Sequence, residues 1–247
     1  MPAPTANVNA MPMEFSSLLL EGVLLRRYKR FLADVRLDTD ETVTAHCPNT
    51  GSMLGCKEPG SRVWLRDTGS TTRKYPLSWE LVEVGGNALV GINTGRSNQL
   101  VREAIESGTV VELQGYRRTR AEVRYGEENS RIDLLLEDGD RRCYVEVKNV
   151  TAAVDEGVAL FPDAVSVRAS KHLRELAAMA RQGHRAVIFY CVQRQDVTEV
   201  RPADAIDPDY GRALREAMAQ GVEALAYDAD ISPRGIALKR PLAVVVP

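Results

Sequence analysis

The sequence predicts a two-part fold, a small closed β-barrel followed by a larger α/β domain. From about residue 15 to 84, short apolar and alternating runs are separated by Gly, Pro, Asn and Ser, which is typical of small barrels. After Gly85-Gly86 the pattern changes to amphipathic helices and fully apolar strands. We therefore expect a flexible tail at 1–12, the barrel at 13–85 and the α/β domain at 86–247.

Composition excludes several classes of protein. The chain has 247 residues, 44% hydrophobic and 27% charged, with a net charge of −2, so any nucleic-acid binding must come from local basic clusters. No apolar run reaches about 18 residues and the start does not resemble a signal peptide, so we expect a cytoplasmic protein without a membrane segment. The four cysteines form no C-x-x-C pair, which disfavours a zinc site.

The barrel is predicted from strands near 23–25, 31–37, 42–46 and 62–65, with a turn at 38–41. A five-stranded barrel of the oligonucleotide-binding (OB) type is our prediction, and an SH3-like barrel is the alternative.

Two segments of the barrel are candidate DNA contacts. The first interleaves cations with aromatic rings, a combination that follows phosphates and stacks bases; its cations are Arg26, Arg27, Lys29 and Arg30. The second is the loop 46–53, in which Asn49, Thr50 and Ser52 are candidates to cradle a phosphate. Both segments are equally compatible with solvated tight turns.

The second domain alternates helices and strands. The expected strands are 88–92, 110–113, 122–125, 186–192, 222–227, 236–238 and 243–246, and the expected helices run from about 98 to 107, 168 to 182 and 209 to 220. The apolar run 186–192 suits a central strand covered on both faces.

A hairpin over residues 131–148 organises this domain. Asp138-Gly139 is a strong type I′ turn signal, and closing the turn there places Asp133 opposite Tyr144. Strand alternation then puts the apolar side chains on one face, namely Ile132, Leu134, Leu136, Cys143, Val145 and Val147. The other face has Asp133, Arg142, Tyr144, Glu146 and Lys148.

Asp133 and Glu146 are therefore diagonal neighbours, about 7–8 Å apart at the backbone. Carboxylates at this separation can converge on one hard cation such as Mg²⁺ or Mn²⁺. Lys148 lies on the same face, within reach of a phosphate or of a water molecule beside that cation. The alternative is an ordinary half-exposed hairpin whose charged face is only solvated.

The hairpin resembles the core of the PD-(D/E)XK nuclease superfamily, with Asp133 as the first acid and Glu146-Val147-Lys148 as the E-x-K half, although Ile132 replaces the usual Pro. The order α-β-β-β-α-β is also that of the superfamily. The resemblance implies that Asp133, Glu146 and the backbone carbonyl of Val147 hold the metal, and that Lys148 positions the attacking water. Glu103 is a further candidate ligand; Arg168, Lys171 and His172 are candidate strand contacts.

The chain also resembles the sugar fermentation stimulation protein (SfsA) family over nearly its whole length. The shared segments lie at 15–31, 46–53, 93–94, 133–135, 145–151, 161–164 and 171–176. The resemblance implies an OB-like domain, a nuclease-like domain, non-specific DNA binding and a regulatory role in sugar (maltose) use.

Two functions follow as hypotheses. The first is a non-specific DNA-binding protein with a Mg²⁺-dependent phosphodiesterase site. The second is a DNA-binding regulator that keeps the fold without catalysis. A carbohydrate- or nucleotide-binding module is a third option that lacks a clustered aromatic platform, and a homodimer is one option for the assembly.

Overall fold

The computed structural model describes residues 13–127, 130–155 and 157–247. The tail expected at 1–12 lies outside the described residues.

The strands and helices follow each other in two groups. The first group of strands is β1 (Met13–Glu14), β2 (Leu20–Tyr28), β3 (Leu32–Leu37), β4 (Thr42–His46), β5 (Arg62–Asp67), β6 (Leu77–Val84) and β7 (Ala88–Gly91). The later strands are β8 (Arg118–Tyr125), β9 (Ser130–Asp138), β10 (Arg141–Val150), β11 (Ala153–Asp155), β12 (Gly157–Phe161), β13 (Arg185–Val192), β14 (Val197–Pro202), β15 (Glu223–Ser232) and β16 (Gly235–Val244). The helices are α1 (Ser97–Glu106), α2 (Val167–Arg181) and α3 (Pro208–Ala219).

The first sheet has the order β4-β3-β2-β5-β6-β7, and a β4–β6 pairing at His46 and Ser78 closes five of its strands into a barrel. Its interior is apolar and includes Leu24, Val35, Leu65 and Trp79, all inaccessible to solvent. The barrel sheet continues past residue 85, where the sequence placed the domain boundary, because β7 pairs with β6. The boundary at 13 also shifts, since β1 pairs with β16 of the second domain.

The second sheet has the order β11-β12-β14-β16-β15-β13-β10-β9-β8, with α1 packed on one face and α2 and α3 on the other. The elements α1, β8, β9, β10, α2 and β13 confirm the expected α-β-β-β-α-β order. The run 186–192 is, as expected, a central strand whose side chains are buried on both faces. Residues 111–113 form a 3₁₀ turn and not the strand expected there.

The register of the β9–β10 hairpin differs by two residues from the sequence expectation. Asp138 pairs with Arg141, and Leu135 with Tyr144, so the two central turn residues are Gly139 and Asp140. Gly139 has φ 59°, and glycine at the first central position is the mark of a type II′ turn. A shift of two residues preserves strand alternation but places Asp133 level with Glu146.

Neither face of this hairpin is solvated. Leu134, Leu136, Cys143, Val145 and Val147 pack with α1, as expected. Ile132 instead packs on the α2 side, together with Leu135 and Tyr144. On the charged face Tyr144 and Glu146 are buried on the α2 side, Asp133 is half-buried, and Arg142 is exposed, so this face is not merely solvated.

Specific hydrogen bonds and ion pairs join the barrel to the α/β domain. Gly91 N–H donates to the carbonyl of Gln193 at 2.9 Å, beside a bridge between Val90 and Arg194. The fully buried Glu80 of β6 accepts from Arg66 at 2.9 Å and from Arg96 at 2.7 Å, which ties the barrel to the start of α1. These contacts fix how the barrel meets the sheet edge next to the hairpin.

Cys47, Cys56, Cys143 and Cys191 are buried and unpaired, as expected for reduced cysteines. Within the described ranges, none of the helices is both long and apolar enough to cross a membrane.

Candidate metal and nucleic-acid site

Asp133 and Glu146 meet where the β9–β10 pairing ends. The last paired residues are Leu134 and Val145, and beyond them Val147 N–H donates to Asp133 Oδ2 at 2.8 Å. Asn98, in the first turn of α1, donates to Asp133 Oδ1 at 2.8 Å. Glu146 is only 2% exposed. The two carboxylates are thus held by backbone and side-chain donors at the frayed end of the hairpin.

The two carboxyl groups differ in pKa because their partners differ. Burial, and secondly the charge of Glu146, raise the pKa of Asp133 above its usual range. Burial alone would also raise the pKa of Glu146, but the hydrogen bond from His172 and the charge of Lys148 outweigh it and lower that pKa. Among the described residues, the hydrogen-bond donors to Asp133 are neutral, and together with the charge of Lys148 they do not fully offset its desolvation.

Lys148, Glu146 and His172 form a compact network under α2. Lys148 Nζ donates to Glu146 Oε1 at 2.8 Å, and His172 Nδ1 hydrogen-bonds to the same oxygen. Arg168 Nε donates to His172 Nε2 at 3.3 Å. A neutral imidazole that accepts at Nε2 carries its proton on Nδ1, so we assign His172 as the donor to Glu146. The sequence predicted a strand contact for His172; the structure buries it against Glu146.

The second carboxylate oxygen of Glu146, Oε2, indicates whether this site can bind a cation. Oε2 is buried and has no hydrogen-bond partner among the described residues. A buried carboxylate oxygen without a partner is costly unless a cation or water satisfies it. The N–H and C=O of one strand residue point to the same neighbour, so the carbonyl of Val147 faces the same side as Asp133. The residues present fit a hard divalent cation.

In the described ranges, no three His, Cys, Asp or Glu side chains converge on a common metal position. A cation here would therefore be held by two carboxylates, a backbone carbonyl and water. Mg²⁺ is commonly bound in this way, since it keeps several of its waters and uses one or two carboxylates.

Glu103 is not part of this site, contrary to the sequence expectation. Its carboxylate accepts from Gln99 at 2.7 Å, and it lies beside Ala237 and Leu238 of β16. The α1 residue that reaches Asp133 is Asn98, which the sequence argument missed; its position at the helix start was the available signal.

The basic turn of the barrel is divided between structural and outward cations. Arg27 Nη2 donates to the carbonyls of Asn49 and Gly51, each at 2.9 Å. Arg30 donates to the carbonyl of Thr50, also at 2.9 Å through Nη2. Arg26 is exposed and pairs with Asp34 at 2.8 Å. Arg27 thus holds the neighbouring loop in place, in contrast to the phosphate contact predicted for it.

Lys29 and Arg30 form the tip of this turn, with φ of 49° and 65°. Both are exposed, and Lys29 has no ion pair among the described residues. The phosphate contacts predicted for Arg26, Lys29 and Arg30 stay predictions.

The loop 46–53 faces the second domain. Asn49 is buried and its Oδ1 accepts from Gly51 N–H at 2.8 Å. Asp163, which follows β12, accepts from Met53 N–H at 3.0 Å and from Ser52 Oγ at 3.3 Å. A side chain at Gly51 would strike Asp163. The loop and the 161–164 segment therefore interlock, and Thr50 remains exposed at their rim.

Arg168 is exposed on the first turn of α2, while Lys171 is half-buried one residue before His172. Together with Lys148, Arg168 places positive charge at the opening above Glu146. The strand contacts predicted for Arg168 and Lys171 stay predictions.

Two family models match the chain. The model described as "SfsA N-terminal OB domain" matches residues 25–92, and the one described as "Sugar fermentation stimulation protein RE domain" matches residues 95–235. The chain belongs to the SfsA family. The five-stranded barrel is therefore an OB domain, as predicted, and the SH3-like alternative is wrong.

Full-length relatives support the same assignment. A sugar fermentation stimulation protein homolog of Thioalkalivibrio sulfidiphilus is 65% identical over 94% of this chain and 98% of that protein. Another, from Geobacter sulfurreducens, is 60% identical over 92% of this chain and 96% of its own length.

A solved structure shares the fold. Pyrococcus furiosus SfsA in complex with Ca²⁺ has a TM-score of 0.84 and 29% sequence identity, covering 96% of this chain and 100% of that one. Both domains of this SfsA family member thus have the architecture of the archaeal protein.

Proposed function

We propose that this SfsA family member binds DNA without sequence preference and hydrolyses phosphodiester bonds with Mg²⁺ or Mn²⁺ at Asp133, Glu146 and Lys148. The proposal rests above all on Glu146 Oε2, a buried carboxylate oxygen without a partner among the described residues, close to the half-buried carboxylate of Asp133. Support also comes from Pyrococcus furiosus SfsA, which is in complex with Ca²⁺, another hard cation that prefers oxygen ligands.

Each residue has a defined task. Asp133, Glu146 and the carbonyl of Val147 would hold the cation, which when bound neutralises phosphate charge and lowers the pKa of water. Lys148, already fixed at 2.8 Å from Glu146, positions water and stabilises negative charge that develops on the phosphate. His172 orients Glu146 by hydrogen bonding to Oε1, and Arg168 attracts the strand from the exposed side.

The alternative is a DNA-binding regulator that keeps this fold without catalysis. One observation favours it: Lys148 is already paired with Glu146, so it must reorient to reach a phosphate or water. Under this alternative the network only stabilises the sheet.

A cleavage assay separates the two. Purified protein is incubated with supercoiled plasmid and with single-stranded DNA in Mg²⁺, Mn²⁺ or EDTA. The proposal expects cleavage that requires the metal and is lost in Glu146→Gln and Lys148→Ala. Glu103→Gln is the matched control, because it removes a helix carboxylate that bonds to Gln99 and lies beside β16, and it should leave cleavage unchanged. Binding without cleavage under all three conditions would support the regulator instead.

A further inference from the structure

A cavity of about 170 Å³ lies between the barrel and the α/β domain. The loop 46–53 forms one wall, and residues following β10 together with the end of β12 form the other. Its volume is below the ~300–1,000 Å³ of sites for drug-sized ligands, so it suits a single ring-sized group. None of the candidate catalytic side chains lines it.

The walls of the cavity mix polar and apolar groups. Amides, hydroxyls and one carboxylate provide both donors and acceptors; these polar residues are Asn49, Thr50, Thr94, Asn149, Thr151 and Asp163. Ala152, Leu160 and Phe161 give the cavity an apolar side. None of the described residues that line it is a Lys or an Arg. A phosphate is therefore a poor occupant, whereas a flat ring with a polar edge matches both walls.

Cations lie at one edge of the cavity. Arg30 donates to the carbonyl of Thr50, a lining residue, and Lys29 is its neighbour at the tip of the basic turn. Lys148 directly precedes the lining residue Asn149, but its side chain lies on the opposite face of the sheet, where it pairs with Glu146. Positive charge at one edge of a cavity whose described lining contains no cation is the pattern expected where phosphates pass outside and a base enters.

We propose that this cavity receives one unpaired nucleobase of a DNA strand whose backbone runs from Lys29 and Arg30 to Lys148. The inference rests on the proposed function, since it needs a strand at the Glu146 site. It adds a place where the protein reads the strand: a base must leave its stack to enter, so single-stranded or frayed DNA is favoured over intact duplex.

Asp163 gives the cavity a preference among bases. Its Oδ2 accepts from Met53 N–H and Ser52 Oγ, whereas Oδ1 accepts no hydrogen bond within the described residues. A carboxylate oxygen accepts from the exocyclic amino group of cytosine. The N3–H of an unpaired thymine is also a donor, but it lies between two carbonyl oxygens, which the carboxylate repels. We therefore expect cytosine to occupy the cavity better than thymine.

The test scans one single-stranded oligonucleotide with an abasic site moved one position at a time. Binding is measured by fluorescence anisotropy in EDTA, so that metal-dependent cleavage does not occur and the DNA stays intact. At one position the abasic site should weaken binding about tenfold, the scale of one lost base contact. At the other positions the change should stay within about twofold.

Thr50 is exposed, and Thr50→Trp should fill the rim of the cavity. In this variant the abasic site should no longer weaken binding at the oligonucleotide position identified by the scan. Thr71→Trp, at an exposed barrel threonine that does not line the cavity, should keep it. Asp163→Asn should reduce the preference for cytosine over thymine there.

The outcomes are distinguishable. Tight binding with a flat abasic scan, or a penalty unaffected by Thr50→Trp, would overturn the cavity assignment and leave the proposed function standing. No binding of single-stranded DNA by the wild-type protein would overturn the proposed function itself. Saturable binding of a free monosaccharide, blocked by Thr50→Trp and accompanied by a flat scan, would assign the cavity to a small carbohydrate and refute a nucleobase.

Discussion

His172 of α2 hydrogen-bonds through Nδ1 to Oε1 of Glu146 on β10, and both side chains are buried. This contact connects the helix that covers the sheet to the carboxylate at the centre of the candidate site. Because the same oxygen also accepts from Lys148 at 2.8 Å, Oε1 is satisfied by protein donors while Oε2 is left for another partner. The hydrogen bond therefore fixes which oxygen of Glu146 faces the site.

Replacing His172 should alter Glu146 in a measurable way. The His172 hydrogen bond is the largest effect that lowers the pKa of Glu146, so His172→Ala should raise that pKa. If the site is catalytic, the acid limb of the pH–rate profile should move to higher pH, with a loss of about tenfold in kcat. His184→Ala, which removes a histidine whose ring lies tilted 5.5 Å from that of Tyr144, is the control. An unchanged acid limb in His172→Ala would contradict the positioning role.

Metal binding should increase the thermal stability of the protein. A cation that binds only the folded protein stabilises it by about 2.7 kcal/mol at 100 times its Kd. We expect Mg²⁺ or Mn²⁺ to raise the Tm of the wild-type protein and of Glu103→Gln, but not of Asp133→Asn or Glu146→Gln. Without metal, Asp133→Asn should be nearly neutral, because Asn98 can turn its amide over to accept from the new NH₂ group. Calorimetric titration checks this directly; equal heats for wild type and Asp133→Asn would refute the metal site.

The sequence predicted which candidate residues meet better than it predicted what surrounds them. A two-residue error in the turn preserves parity, so Glu146 and Lys148 still share a face and Asp133 still lies across the strand pair from Glu146. Alternation breaks at Ile132 and Asp133, where Ile132 packs on the α2 side and Asp133 accepts from Asn98 of α1. Burial of that face was not predicted, since it depends on how α2 packs on the sheet. For the same reason His172 was interpreted as a DNA contact, although it directly precedes Leu173, a residue of the buried stripe of α2.

The register error itself has a local cause. Asp138-Gly139 and Gly139-Asp140 are both acceptable turn pairs, and choosing between type I′ and type II′ depends on strand pairing further from the turn. The domain boundary was misplaced for a similar reason: Gly85-Gly86 is a hairpin turn between β6 and β7, and both glycines have positive φ. Glycine pairs mark turns within domains as readily as boundaries between them.

Stability without metal should depend on pH through Asp133. Its folded pKa is raised, so the folded protein binds more protons than the unfolded chain between about pH 3.9 and that raised pKa. Stability therefore falls as pH rises through this window and is constant above it. Asp133→Asn should lack this fall. Urea unfolding of both proteins in EDTA across the window measures it, and parallel pH curves would show that Asp133 titrates normally.

Glu80 should be a large contributor to the stability of the domain junction. It is fully buried and accepts from Arg66, Arg96 and Asn93 at 2.7–2.9 Å. Removing one member of a buried ion pair costs about 3–5 kcal/mol, because the remaining charge is left without a partner. Glu80→Ala should lose that much in urea unfolding, whereas Glu83→Ala, a partly exposed glutamate on the same strand, should lose less than about 1 kcal/mol. Similar losses for both would mean the ion cluster is dispensable.

DNA binding should be steep in salt and indifferent to sequence, because the candidate contacts are exposed cations directed at phosphate. Lys29→Ala should weaken binding to unrelated sequences by a similar factor and reduce the salt slope by about one. Lys239→Ala removes an exposed lysine that pairs with Asp230 in the second sheet, and should change neither the affinity nor the salt slope.

Arg27→Ala should behave differently from Lys29→Ala, since Arg27 holds the carbonyls of Asn49 and Gly51 in place. Its loss should lower Tm as well as affinity and leave the salt slope nearly intact. Equal salt slopes for wild type and Lys29→Ala would place the phosphate path away from the basic turn.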